Sequence, residues 1–194
     1  GCPGQACSQE STLNGNRHTE RMRLPHCLPA LAFGACASVF AQSNIQALES
    51  IGSLDVPRYM GTWHEIAKYP NRFQDQCARN TRAEYQLQKD GSVQVINRCT
   101  TSDGKTTEAT GAARQIGPGD SAKLQVRFAP AWLSLLPQVW GNYWVIDLDP
   151  QYQLVAVSEP KREFLWVLSR TPTVDSATYQ GLMERLARQG FDLT

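Results

Sequence analysis

Few residues in this chain could do bond-making chemistry, and they are spread apart. Its 194 residues hold six cysteines and three histidines. Cys2, Cys7, Cys27 and Cys36 come early, and only Cys77 and Cys99 lie beyond residue 41. His64 is the one histidine beyond that point. There is no Ser-His-Asp order, no Gly-x-Ser-x-Gly elbow and no metal-ligand spacing. These residues point away from an enzyme and call for no metal and no cofactor. Nucleic-acid binding is disfavoured too, because 19 basic against 18 acidic residues leave no basic excess to meet phosphates.

The front of the chain reads as a transport signal. Residues 1–21 are polar and carry no apolar period. They read as an upstream segment outside the fold. Met22-Arg23-Leu24 then opens a mostly apolar stretch that ends in Val39-Phe40-Ala41. A short basic start, an apolar centre and suitable residues at −3 and −1 describe a signal peptide over residues 22–41, cut after Ala41. A buried N-terminal helix is the alternative, with Pro25 and Pro29 against it. Phe33-Gly34-Ala35-Cys36 is similar to a bacterial lipobox, with Cys36 as the lipidation site and Phe33 in place of the usual Leu. Both routes imply export, to a periplasm or to attachment at an outer membrane.

Removing residues 1–41 takes Arg17, Arg21 and Arg23 from the 19 basic residues and Glu10 and Glu20 from the 18 acidic ones. Sixteen of each remain, so the processed chain is neutral and charge steering is not its design. Cys77 and Cys99 then form an even pair in an exported protein, which reads as a disulfide, with two separate buried thiols as the alternative.

The rest of the chain reads as strands. After a leader at residues 42–56, short β-rich runs alternate with turn signals. They fall at Thr62–Tyr69, Thr81–Gln88, Ser92–Cys99, Thr106–Gln115, Lys123–Ala129, Asn142–Leu148, Gln153–Ser158 and Phe164–Arg170. Asp90-Gly91 suggests a two-residue hairpin, in which paired numbers sum to 181 and Cys99 faces Arg82. Cys77 then meets Cys99 only if the chain folds back or a bulge intervenes. Asp175 is a good helix N-cap, Val174 and Tyr179 can staple the helix start, and Leu182, Met183 and Leu186 make an apolar stripe before Gly190. Eight up-and-down antiparallel strands plus one C-terminal helix packed outside predict an all-β closed barrel over residues 57–194. Such a barrel has room for one small ligand.

Three ordered blocks carry a family resemblance. Gly61-Thr62-Trp63 resembles the Gly-x-Trp signature of the lipocalin family. Asp149-Pro150-Gln151-Tyr152 is similar to its second block, and Leu165 to Pro172 to its third, with the single Arg170. The resemblance covers about residues 56–192 and lies nearest the branch of bacterial lipocalins and apolipoprotein D. It implies that Trp63 plugs the closed end of the barrel with Arg170 stacked on its indole, and that Gly61, Asp149 and Tyr152 are structural. It also implies a binding protein for a fatty acid or lysophospholipid, serving lipid transport or storage in the cell envelope. A lipid-modifying enzyme on the same barrel, or a binder of another small hydrophobic molecule, is the alternative.

Inward parity on the strands selects Ala83, Tyr85, Leu87, Val95 and Asn97. Tyr143 and Val145 share a face of the sixth strand, and the resemblance favours Trp166. The expected ligand-binding set is therefore Tyr85, Val95, Asn97, Tyr143, Val145 and Trp166, with ordinary core packing as the alternative. Asn97, a polar amide among apolar neighbours, needs a partner. The segment from Ala129 to Trp140 is too apolar for a solvent loop. Trp132, Leu135, Leu136 and Trp140 there read as a lid at the mouth, a membrane-touching patch, a homodimer contact or simple packing.

Overall fold

The computed structural model describes residues 46–194. The signal-peptide reading and Cys36 lie outside those residues. Eight strands form a closed antiparallel barrel in which each pairs with its chain neighbours and the last pairs with the first. They are β1 (Gly61–Lys68), β2 (Arg79–Leu87), β3 (Val93–Thr100), β4 (Thr106–Gln115), β5 (Lys123–Arg127), β6 (Gly141–Leu148), β7 (Leu154–Ser158) and β8 (Leu165–Ser169). A short helix α1 (Val56–Tyr59) precedes them, and α2 (Ser176–Arg188) follows. Up-and-down order puts the β1–β2, β3–β4, β5–β6 and β7–β8 loops at one end. The other connections and α1 sit at the opposite end.

The second end is sealed by Trp63, whose side chain has no solvent exposure. Its indole N–H donates to the Tyr59 carbonyl at 2.9 Å. The Arg170 guanidinium stacks over the indole at 4.0 Å, a contact worth about 0.5–2 kcal/mol. The same guanidinium donates to the carbonyls of Thr62 at 3.1 Å, Arg58 at 2.9 Å and Tyr152 at 3.3 Å. One side chain thus ties α1, β1 and the β6–β7 turn together. Gly61 lies beside it with φ +97°, and a Cβ there would come within 3.2 Å of the guanidinium. Asp149 shapes the turn by accepting from the backbone of Gln151, Gln153 and Leu154. The Tyr152 hydroxyl accepts from Asp55 N–H at 3.0 Å and so draws the chain before α1 onto the base.

The hairpin register differs from the sequence expectation. Tyr85 pairs with Val95 and Leu87 with Val93, so paired numbers sum to 180. The reason is the turn. Gln88 N–H donates to Ser92 across three residues, with Gly91 at φ +82°, which makes a three-residue loop rather than a two-residue one. Arg82 accordingly faces Arg98, not Cys99. The anticipated irregularity is present, because the register shifts between Arg79 and Arg82, with Asn80 at φ +56°. The shift brings the chain before β2 alongside β3, and Cys77 and Cys99 are bonded with Cα atoms 5.5 Å apart.

Helix α2 is built as its sequence suggests. Asp175 accepts from Thr178 N–H at 2.9 Å. At the far end Phe191 N–H reaches Leu186 O and Gly190 N–H reaches Ala187 O, a Schellman closure with Gly190 left-handed. Leu182 and Leu186 pack into a cluster with Ile146, Ala156 and Val167, the outward side chains of β6, β7 and β8. Covered on both faces, β7 is buried at every position. Leu48, in the segment before α1, joins the same cluster.

Trp63→Ala should cost about 3–5 kcal/mol, because the plug is fully buried and its cavity opens against fixed backbone. Denaturant unfolding checks this: the midpoint should fall with little change in slope. Leu87→Ser, at an exposed position on the base rim, should shift stability by less than about 0.5 kcal/mol.

Candidate ligand-binding site

Alternation along the strands divides the barrel interior into a packed floor and a lined upper part. The floor is aromatic. Tyr59 from α1 stacks on Tyr85 at 5.7 Å and lies 5.0 Å from Trp63, and Tyr143 meets the edge of Tyr85 at 6.3 Å. Their hydroxyls touch in a row, Tyr59 to Tyr143 at 2.7 Å and Tyr85 to Tyr143 at 3.0 Å. Burial pushes the Tyr59 and Tyr143 hydroxyls well above the usual phenol range and Tyr85 up to about 12.

Higher on the strands some inward side chains stay half-buried, among them Asn97, Val126 and Trp166, while Val157, paired with Trp166, is fully buried. Inward positions of β4 are small: Ala113, Gly111 and Ala109 face Val93, Val95 and Asn97. A Cβ on Gly111 would sit 2.7 Å from the Phe128 ring, so glycine lets that ring lie against the wall.

A register shift between Glu65 and Ala67 on β1 changes which side chains face inward. It turns Ile66 and Ala67 out toward α2 and puts Lys68 beside Trp166. Lys68 and Glu65, 3.5 Å apart, form an ion pair near the open end. Gln74 donates to Glu65 at 2.5 Å, while the Trp166 indole N–H and Asn71 donate to Gln74 at 2.9 and 3.0 Å. Sequence reasoning missed this polar group, because alternation without the bulge would aim Ala67 inward.

The six expected ligand-lining residues separate into two layers. Val145, Val95 and Tyr85 are buried in the core at or beside the floor. Asn97 and Trp166 lie higher and stay half-buried, and Tyr143, in the floor row, is half-buried too. Trp166 stacks on Phe164 at 5.7 Å. Leu87, expected inward, is exposed at the base rim beyond the packed interior. The β5–β6 segment carries two short 3-10 turns, Ala131–Leu133 and Pro137–Val139. Trp132 is 77% exposed and Leu135 91%, and Leu136 is exposed too. Trp140 departs from this group. It lies on the outer wall between the guanidiniums of Arg114, at 4.1 Å, and Arg127, at 5.3 Å, and anchors the end of the loop.

A lipocalin-like domain matches residues 54–194. The chain belongs to the lipocalin family. Among relatives, temperature-induced lipocalin-1 of Arabidopsis thaliana is 42% identical over 149 residues, 76% of this chain and 79% of that protein. Outer membrane lipoprotein Blc of Escherichia coli K12 is 36% identical over 145 residues, covering 74% and 77%. Apolipoprotein D of Mus musculus is 30% identical over 166 residues, covering 82% and 79%. The crystal structure of the cockroach allergen Per a 4 superposes with a TM-score of 0.55 at 24% identity, over 75% of this chain and 87% of that one, and supports the fold. Within this lipocalin, Gly61, Trp63, Asp149, Tyr152 and Arg170 make the contacts of the closed end. Lipocalins bind small hydrophobic molecules.

The tyrosine row sets an alkaline limit on stability. In the unfolded chain these phenols ionise near 10, while in the fold Tyr85 holds its proton to about 12. Between those values the unfolded state binds fewer protons, so the row's contribution to stability should be fully present below that window and fall as pH rises through it. Unfolding curves at stepped alkaline pH check this. Tyr85→Phe should flatten the fall.

Proposed function

We propose that this lipocalin is an exported carrier that holds a fatty acid or lysophospholipid, acyl chain inside the barrel and polar head at the open end. The observation that supports this most is the contrast along the barrel axis. The base is closed by Trp63, Tyr59 and Arg170, while inward Trp166, Asn97 and Tyr143 keep surface uncovered above it. Each buried methylene contributes about 0.8 kcal/mol, so a long acyl chain gives micromolar affinity after ordering costs. Lys68 and Glu65 near the opening suit a polar head better than a tail. Binding, not catalysis, is the reading, since the two cysteines of the folded domain are joined to each other and His64 points outward between Arg82 and Ser169.

The envelope setting draws support from the relatives named as outer membrane lipoproteins, and from the disulfide, which suits an oxidising compartment. A membrane-touching role for the open end has its own support. Of the seven exposed large hydrophobic residues among the described residues, Phe73, Phe128, Trp132, Leu135 and Leu136 are all in loops at that end or at the strand end leading into one. Apolar side chains grouped around the mouth of a lipid cup would let it take cargo from a bilayer surface.

Mass spectrometry of gently purified protein should reveal a co-purifying acyl species in one-to-one ratio. Protein free of any lipid, which also fails to bind added fatty acid, would overturn the carrier reading. Trp132→Ser with Leu135→Ser should weaken sedimentation with phospholipid vesicles about tenfold or more, since each exposed side chain offers roughly 1.5–3 kcal/mol of burial.

A further inference from the structure

The tyrosine row at the barrel floor has more protons than places to donate them. Three phenolic hydroxyls bring three donors, and the contacts Tyr59–Tyr143 and Tyr85–Tyr143 use two. One O–H is therefore left over in every arrangement of the row. Tyr59 and Tyr85 are buried among aromatic rings, whereas Tyr143 is half-buried and faces the interior beside Leu124 and Val145. The arrangement that avoids a stranded donor has Tyr59 and Tyr85 both donating to Tyr143, whose oxygen has two lone pairs to receive them. Tyr143 then aims its own proton up into the cup. A buried donor without an acceptor is costly, so the position calls for an oxygen atom. Burial raises the ionisation of all three phenols, so the row stays protonated and donating.

We infer that Tyr143 is a specificity-determining residue that reads a neutral acceptor oxygen, a hydroxyl or carbonyl, at the deep end of a lipophilic ligand. The cup would then select oxygenated lipids, such as chains carrying oxygen at the end remote from the head, over plain hydrocarbon tails. A carboxylate or phosphate head is a poorer occupant of the floor, since its charge would be desolvated against aromatic rings. The inference rests on the carrier reading above and adds what the far end of the cargo looks like.

The test compares an ω-hydroxylated fatty acid with its unsubstituted parent of equal chain length, by titration calorimetry over a series of lengths. An apolar floor would penalise the added hydroxyl roughly ten- to a hundredfold. The expected result is that, at the length reaching the floor, the hydroxylated acid binds at least as tightly as the parent. The affinity ratio is the readout, so a general loss of binding does not imitate it. Tyr143→Phe should turn the ratio against the hydroxylated acid by about tenfold or more. A tenfold penalty on the hydroxylated acid in the unaltered protein at every length would overturn the inference while leaving the carrier reading intact, and so would a Tyr143→Phe ratio equal to the unaltered one. Failure of both acids to bind would overturn both. Should Tyr143→Phe not fold, the comparison in the unaltered protein still decides.

Discussion

The structure depends on one cation held against one indole. Arg170 leaves the last strand, lies on Trp63 of the first strand and takes three backbone carbonyls from separate segments. A barrel of eight strands must meet itself where β1 pairs with β8, and nothing in the sheet ladder alone prevents the end beneath that seam from opening. Here the joint is covered by a ring and a fork of N–H donors that satisfy carbonyls otherwise left facing the base. Asp149 and Tyr152 work toward the same end by shaping the neighbouring turn and holding the chain before α1. The base is thereby fixed, while inward Asn97 and Trp166 higher in the barrel stay half-buried.

That asymmetry connects the fold to its use. Aromatic bulk is concentrated at the floor, small residues line the β4 wall, and Trp166 and Lys68 stand nearer the mouth. Outside, α2 covers β6 to β8 and lets β7 be apolar on both faces. Stability is therefore supplied by the base and the helix-covered wall, and the open rim is freed to carry exposed apolar side chains that a core would otherwise claim.

Much of this was legible in the residues. Alternation in β2 and β3 gives the inward faces, and Asp90-Gly91 marks the hairpin between them. The N-cap Asp175 and the closing Gly190 frame α2, and the Gly61–Trp63 and Arg170 blocks point to the sealed end. What was not legible came from local backbone departures. A third residue in the Asp90-Gly91 turn moves the register by one. The bulge after Glu65 exchanges Ala67 for Lys68 inside the barrel. Trp140 resembles its apolar neighbours in the sequence, yet two guanidiniums from β4 and β5 hold it on the outer wall. The row of hydroxyls joins residues 84 positions apart, Tyr59 and Tyr143, and no local pattern announces it. Periodicity conveys which face a residue takes in a regular strand. It carries no record of an inserted residue or of a partner across the barrel.

The central claim is that the cup above the tyrosine floor, and no outer surface, holds the cargo. The direct measurement is an experimental structure of the protein with a fatty acid brominated near its tail, read by the anomalous signal of bromine. The account predicts a single bromine site inside the barrel, between Trp166 and Tyr143. Bromine on the outer wall, or in the groove between α2 and the β6–β7 turn beside Pro150 and Gly181, with the interior unoccupied, would contradict it.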